Sequence, residues 1–286
     1  MRFLILGKDG MLGHDLEQVF GNEDFIAYGK ADLDITEYDA ITEKLMTVQP
    51  DVVINATGYT NVDLAEKEEV AAEKINGYAV GLLAKACREV DATLVHFSTD
   101  YVFNGDKKSG YTEEDATNPI NAYGKSKALG EKLLSDEMDH INEAMLKEGR
   151  YFLIRTSWLY GHHGKNFVNT MIETARKKKT LRVVADQYGK PTWSMDLCRQ
   201  VKWLIESKEY PSGIYHITNE GVTSWHEFAR EIFRLAGISA NVVACSSADY
   251  PRDAARPKFS ALINNKLPPL RTWKEALNEY VAGLEH

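Results

Sequence analysis

A tyrosine and a lysine four residues apart have the clearest chemical potential in this sequence. Tyr123 and Lys127 stand in the run NAYGKSK, residues 121–127, at the start of a predicted helix. This spacing places both side chains on one face of the helix, one turn apart. A phenol with a pKa of about 10 is a poor proton donor at neutral pH, and a neighbouring ammonium group stabilises its phenolate. The pair predicts a general acid with the group that tunes it, although the spacing alone is equally compatible with a surface pair.

A hydroxyl residue ends a predicted strand upstream of the tyrosine. Ser98 and Thr99 close the apolar run that begins at Leu94. In an open α/β sheet, ligands lie at the carboxyl ends of the strands. We therefore expect the hydroxyl of Thr99 to hydrogen-bond a substrate oxygen beside Tyr123.

A glycine-rich loop follows the first predicted strand. The run GKDGMLG, residues 7–13, opens the first predicted helix, with a GxxGxxG spacing. Gly7 permits a tight turn, Gly10 lets the backbone approach a pyrophosphate, and Gly13 allows close helix packing. The helix N-terminus also favours an anion. The loop favours a dinucleotide site over a purely structural turn.

The end of the second predicted strand offers groups for either nicotinamide dinucleotide. An acid there would bind the adenosine ribose of NAD, whereas a base would accept the 2′-phosphate of NADP. Lys30 suits the phosphate, and Asp32 or Asp34 suits the hydroxyl. All three could instead lie on a solvated loop. The balance favours NADPH, and NADH stays open.

The elements that must position these groups follow a βαβ rhythm. Short apolar runs predict buried strands at 3–6, 25–28, 52–55, 94–98 and 152–155. Helical periodicity begins between them near Met11, Glu37, Ala71 and Ala122. Right-handed crossovers of this kind give a parallel sheet. We therefore predict a doubly wound α/β fold of the Rossmann type, with its site at the carboxyl edge of the sheet.

The rhythm loosens after about Thr156. Helices are predicted at 166–178, 196–207 and 225–235, with strands at 181–184 and 214–217 and a proline-interrupted tail. We predict a dinucleotide-binding domain over 1–156, to which later segments return. Residues 157–286 would mainly form a smaller C-terminal substrate-binding domain.

Composition limits the remaining classes of function. The 286 residues are 44% hydrophobic and 27% charged, with a net charge of −8, which disfavours nucleic acid and anionic membranes as partners. The three cysteines have no CxxC spacing, and no stretch approaches a membrane span. His226 begins a zinc-like helix motif, but Arg230 stands where the second histidine is required. We expect a cytoplasmic protein without a metal site, and a homodimer is left open.

Taken together, these motifs resemble the extended short-chain dehydrogenase/reductase family and, within it, the dTDP-4-dehydrorhamnose reductases. The resemblance covers nearly the whole chain. The similar segments are, in order, GKDGMLG (7–13), NATGYTNVD (55–63), STDYVFNG (98–105), NAYGKSK (121–127), RTSWLYG (155–161), GKNF (164–167), DQYGKPT (186–192) and ARPK (255–258).

The resemblance implies NADPH-dependent reduction of a dTDP-linked 4-keto-6-deoxy sugar to dTDP-L-rhamnose. Tyr123 would protonate the oxygen, Lys127 would lower the pKa of Tyr123, and Thr99 would orient the oxygen. The expected cofactor-binding residues are Gly7, Gly10, Met11, Leu12, Gly13, Lys30, Asp34, Ala56, Thr57, Tyr59, Ser98, Tyr123 and Lys127. The expected substrate-binding residues are Thr99, Asp100, Tyr101, Trp158 (stacked on the thymine), Asn166 and Arg256.

Several related functions stay open. Sugar-nucleotide 4,6-dehydratases resemble Thr-Asp-Glu at this point, whereas this chain has Thr99, Asp100 and Tyr101 and lacks the glutamate that serves as base. Epimerases and reductases of other nucleotide-linked deoxysugars keep the same tyrosine and lysine. The regulatory subunit of methionine adenosyltransferase resembles the same family and binds NADP without turnover.

Overall fold

The computed structural model describes residues 1–139 and 149–284, and a six-stranded parallel sheet forms its centre. The strand order is β10-β5-β4-β3-β1-β2. These strands are β1 (Arg2–Leu6), β2 (Asp24–Tyr28), β3 (Val52–Asn55), β4 (Thr93–Thr99), β5 (Tyr151–Thr156) and β10 (Gly213–His216). The predicted doubly wound sheet is confirmed.

Helices cover both faces of this sheet because its strands are apolar on both sides. One face packs against α1 and α8 around Phe3, Ile5 and Leu16, and the other packs against α2, α5 and α6 around Leu4 and Leu83. The helices are α1 (Met11–Val19), α2 (Tyr38–Val48), α3 (Val62–Ala65), α4 (Glu69–Glu73), α5 (Ala79–Glu89), α6 (Ala122–Met138), α7 (Phe167–Lys177), α8 (Ser194–Ser207), α9 (Trp225–Leu235) and α10 (Trp273–Ala282).

The sheet reverses its winding beside the first strand. Strand β1 pairs with β2 on one side and with β3 on the other, so a crevice opens between the carboxyl ends of β1 and β3. Ligands of open α/β sheets bind at such a switch point. The glycine loop follows β1 and therefore lies in this crevice.

The helix predicted to begin near Ala71 is interrupted. Helix α4 passes through a π-helical turn, Lys74–Tyr78, before α5 begins. Buried Asn76 lies within this turn, and π-turns often mark functional sites.

The C-terminal part has its own apolar core and three small sheets. Residues such as Tyr160, Phe228 and Tyr280 fill that core, and α10 lies in the proline-interrupted tail. The short strands are β6 (Leu159–Tyr160), β7 (Thr180–Val184), β8 (Tyr188–Gly189), β9 (Thr192–Trp193), β11 (Thr223–Ser224) and β12 (Asn241–Cys245). Strand β10 pairs with β5, which brings residues after 156 into the main sheet. The domain boundary itself stays a prediction.

Within the described ranges no helix is long and apolar enough to cross a membrane.

Candidate active site

The glycine loop has the shape that a dinucleotide requires. Gly7 has a φ of 91°, and a Cβ there would lie 2.9 Å from the carbonyl carbon of Ala56. A Cβ on Gly13 would lie 2.1 Å from the carbonyl oxygen of Gly7. Helix α1 begins after Gly10 with no side-chain cap, so its first N–H groups are available to an anion. The loop fits a pyrophosphate.

A cavity of about 510 Å³ adjoins this loop, and we call it the glycine-loop cavity. Its lining includes seven of the predicted cofactor-binding residues: Gly7, Gly10, Lys30, Asp34, Ala56, Thr57 and Tyr59. Asp32 does not line it, because its carboxylate accepts hydrogen bonds from Lys8 Nζ at 2.6 Å and Gly29 N at 2.9 Å. The carboxylate of Asp34 is bound by Thr36, whereas Lys30 is exposed at the rim.

The predicted catalytic side chains meet in an adjoining cavity of about 610 Å³, the tyrosine cavity. Thr99 ends β4, while Tyr123 and Lys127 lie on the first turns of α6. All three line this cavity, together with Met11 and Leu12 of the glycine loop. The two cavities share Gly10, Ala56, Thr57 and Gly58, so they form one continuous cleft.

Burial is the largest effect on the pKa values of Tyr123 and Lys127. It raises the pKa of Tyr123 to about 12, although the nearby Thr99 hydroxyl lowers that pKa. Burial also lowers the pKa of Lys127 to about 8, against the opposing effect of Glu131. Burial is thus the largest effect on both pKa values, and the role of Lys127 in lowering the pKa of Tyr123 stays a prediction.

Two predicted ligands beside Thr99 have partners within the protein. Ser98 lines the tyrosine cavity, and its hydroxyl donates to Glu131. Asp100 is 2% exposed, and its carboxylate accepts from Ser260 and Thr99. Ser98 thus also anchors its strand and the Asp100 carboxylate holds the hydroxyl of Thr99, and the roles of both residues as ligands stay predictions.

Trp158 lines the tyrosine cavity but is already stacked on another indole. Its ring lies 3.5 Å from Trp225 between centroids, at an interplanar angle of 8°. Gly189 packs so closely that a Cβ there would lie 2.6 Å from the Trp158 indole. A thymine on this face of Trp158 would have to displace Trp225, and the thymine contact stays a prediction. The indole pair separates the tyrosine cavity from the next one.

That next cavity, of about 280 Å³, is the arginine cavity. It contains the predicted Tyr101 and Arg256, and Trp225 lies on its wall. Arg256 pairs with Asp63 at 3.0 Å and lies over the ring of Tyr101. The ring of Tyr101 makes an edge contact with Tyr123, 6.0 Å between centroids, so the arginine cavity lies next to the reacting groups.

Asn166 is a helix cap. Its Oδ1 accepts from Asn169 N at 3.0 Å, and its Nδ2 donates to the carbonyl oxygen of Gly161 at 2.7 Å. The side chain is buried and hydrogen-bonded at both ends, and its role as a nucleotide contact stays a prediction.

Sequence reasoning missed several residues of this cleft. Arg182, Gln187, Tyr250 and Arg252 line the arginine cavity, and Lys165 lines the tyrosine cavity. Arg182 lies in the middle of β7, and the others come from loops, where no periodic pattern marks a ligand. Within residues 1–139 and 149–284, no group of three His, Cys, Asp or Glu side chains could hold a metal ion.

Known proteins match the chain over its whole length. Residues 1–286 match the family described as RmlD substrate binding domain. The spore coat polysaccharide biosynthesis protein SpsK of Bacillus subtilis (strain 168) is 37% identical, over 98% of this chain and 96% of that protein. A dTDP-4-dehydrorhamnose reductase of Burkholderia thailandensis is 36% identical, over 99% of both chains. The crystal structure of a dTDP-4-dehydrorhamnose reductase from Bacillus anthracis, in complex with NADP, superposes with a TM-score of 0.92 at 37% identity, over 99% of both chains.

Proposed function

The chain belongs to the family of the RmlD substrate binding domain, and from this premise we propose that it is a dTDP-4-dehydrorhamnose reductase. It reduces the C4 keto group of dTDP-4-dehydro-6-deoxy-L-mannose to give dTDP-L-rhamnose, with NADPH as cofactor. The relative from Burkholderia thailandensis bears the name of this activity, and the one from Bacillus anthracis holds NADP. The observation that carries the proposal is the meeting of Thr99, Tyr123 and Lys127 in a cavity continuous with the glycine loop.

The dinucleotide occupies the glycine-loop cavity and reaches into the tyrosine cavity. The backbone of Gly10 and the first turn of α1 bind the pyrophosphate. Lys30 binds the 2′-phosphate, since its ammonium group lies at the rim while the Asp32 carboxylate is already occupied. The bound nicotinamide supplies a hydride for C4 of the sugar.

Side chains of the protein supply the proton that the C4 oxygen of the sugar receives. The phenol of Tyr123 is protonated at neutral pH, because its pKa of about 12 lies well above it, and it donates its proton to the C4 oxygen. The hydroxyl of Thr99 hydrogen-bonds the same oxygen and orients it. The ammonium group of Lys127 stabilises the phenolate that remains. Such acid catalysis typically contributes about 10²–10⁴-fold to the rate.

The arginine cavity binds the nucleotide end of the substrate. Arg182, Arg252 and Arg256 bring three guanidinium groups to a cavity that is otherwise largely aromatic and aliphatic. Planar guanidinium groups suit a diphosphate, and the free face of an aromatic ring suits a base. The sugar then lies between this cavity and Tyr123.

Loss of nicotinamide absorbance tests the proposal directly. Purified protein is given dTDP-4-dehydro-6-deoxy-L-mannose with NADPH, and with NADH in parallel. We expect consumption matched by formation of dTDP-L-rhamnose, with NADPH preferred. A UDP-linked 4-keto sugar serves as the matched alternative substrate.

The outcomes separate the competing functions. Consumption only with the UDP-linked sugar would indicate a reductase of a different nucleotide sugar. Tight NADPH binding without consumption of any keto sugar would indicate a regulatory protein. An altered stereocentre in the recovered sugar, with no net oxidation of NADPH, would indicate an epimerase.

A further inference from the structure

A buried ion pair lies directly behind the reacting groups. Glu131 follows Lys127 by one turn of α6 and is 5% exposed, while Arg155 on β5 is 2% exposed. Arg155 Nε lies 3.0 Å from Oε1 of Glu131, and its second guanidinium nitrogen lies 2.7 Å from Oε2. This bidentate contact fixes the carboxylate in one orientation.

Ser98 provides a second anchor for the same carboxylate. Its hydroxyl donates to Oε1 of Glu131, and it lies opposite Arg155 in the β4–β5 register. The carboxylate therefore bridges two strands at the point where Thr99 begins to face the cavity. Its position cannot change without moving the end of β4.

The ammonium group of Lys127 needs a counter-charge that its immediate contacts do not supply. Lys127 is 5% exposed and donates to the carbonyl oxygen of Phe97 at 3.1 Å. In the described part of the chain, no carboxylate forms a direct ion pair with it. Burial disfavours its charged form, and Glu131 is the group that opposes this effect.

We propose that Glu131 is a positioning residue of the reductase, whose clamped carboxylate serves as the counter-charge of Lys127. The inference rests on the proposed function. Glu131 touches neither substrate nor cofactor, and acts through Lys127, which follows Tyr123 by one turn of α6 and lines the same cavity. Arg155 and Ser98 keep the carboxylate from moving to Lys127 and neutralising it in a closed ion pair.

Other ionisable groups surround this pair and have to be separated from it. His96 and His216 are buried and neutral, since burial lowers the pKa of each. Asp100 has its pKa raised to about 7 by burial, so it titrates close to Lys127. Around the pair, His96 and Ser98 lie on β4, Arg155 on β5 contacts Glu131, His216 on β10 contacts Arg155, and Tyr123 precedes Lys127 by one turn of α6.

The titration of Lys127 itself is therefore the decisive measurement. Protein labelled with 13Cε-lysine is titrated by NMR, and the Lys127 signal is identified by its loss in Lys127→Met. In the wild type we expect a midpoint near the pKa of about 8. In Glu131→Gln the midpoint should fall by about one pH unit or more, because the charged form loses its counter-charge. Ser135→Ala is the matched control, since the hydroxyl of Ser135 donates to the backbone oxygen of Glu131 and not to its carboxylate.

Turnover provides the second reading. The rate should decline as pH rises through the Lys127 midpoint, and in Glu131→Gln this decline should begin about one unit lower. A merely structural role would lower the whole pH profile without moving it. If Glu131→Gln does not fold, Glu131→Gln/Arg155→Met removes both charges, and a smaller fall in midpoint is expected.

An unchanged Lys127 midpoint in the folded variant, with normal wild-type turnover, would overturn the role of Glu131 alone. A lowered midpoint in a protein whose wild type does not consume NADPH would overturn the proposed function and leave the counter-charge supported.

Discussion

At the scale of single residues, Tyr123 is the group on which the chemistry depends most. Tyr123→Phe removes the proton donor but keeps the ring that contacts Tyr101. We expect kcat to fall by about 10²-fold or more, with the Kd for NADPH nearly unchanged. Steady-state kinetics and dinucleotide titration check this, with exposed Tyr78→Phe as the control. Unchanged turnover would remove Tyr123 from the mechanism.

Asp100 gives the site a pH-dependent stability. Burial raises its pKa to about 7 in the folded protein, above the ordinary value of 3.8. Between these values the folded state holds the proton and the unfolded state does not, so stability is lost as pH rises through this window. The amide in Asp100→Asn does not titrate, so this variant does not lose stability as pH rises through this window. We expect its Tm, relative to wild type, to rise by several degrees between about pH 5 and about pH 8. A constant difference in Tm over that range would contradict the prediction.

Two neighbouring hydroxyl residues end β4, and their side chains have different partners. Successive side chains of a strand point to opposite sides, and although Ser98 and Thr99 both line the tyrosine cavity, the hydroxyl of Ser98 is bound to Glu131. The sequence indicated a hydroxyl at the end of β4, but the partner of Ser98 lies on a helix 33 residues later. Only the fold brings Glu131 to it.

At the scale of elements, helix α1 packs very closely against the turn that follows β1, and this close approach requires glycine. A Cβ on Gly13 would meet the Gly7 carbonyl oxygen at 2.1 Å, and both are backbone positions that cannot rotate away. We expect Gly13→Ala to weaken NADPH binding by about tenfold or more and to lower Tm. Gly21→Ala at the far end of α1 is the control, because its Cβ would have an ordinary contact at 3.4 Å. Equal effects in the two variants would contradict this account.

Sequence patterns predict some of these elements and leave others unmarked. The strands of the main sheet are apolar runs of the right length, and parallel pairing then gathers Thr99, Tyr123 and the glycine loop at one edge. The π-helical turn leaves no such mark, because Asn76 is held by Tyr59 and Ser126 from elsewhere in the chain. The cap at Asn166 was readable from sequence, since asparagine before an apolar helix favours capping.

At the scale of the whole molecule, the chain is negatively charged, but one of its cavities gathers several arginine side chains. The chain carries a net charge of −8, yet three arginines meet at the arginine cavity. They are contributed by β7 and by the loop after β12, which no local pattern connects. The nucleotide half of the site therefore could not be assembled from sequence, whereas the glycine loop and the end of β2, which line the dinucleotide half, carry local patterns.

The separation of the cavities predicts that both nucleotides bind at once. The arginine cavity shares no lining residue with the glycine-loop or tyrosine cavities, and the Trp158–Trp225 stack separates it from the latter. Each ligand stabilises the folded state by RT ln(1 + [L]/Kd), about 2.7 kcal/mol at a hundredfold excess over Kd. Saturating NADPH and dTDP together should therefore raise Tm by at least the sum of their separate effects. Arg252→Ala should reduce only the dTDP increment, and a combined shift no larger than that of NADPH alone would show that the two compete for one site.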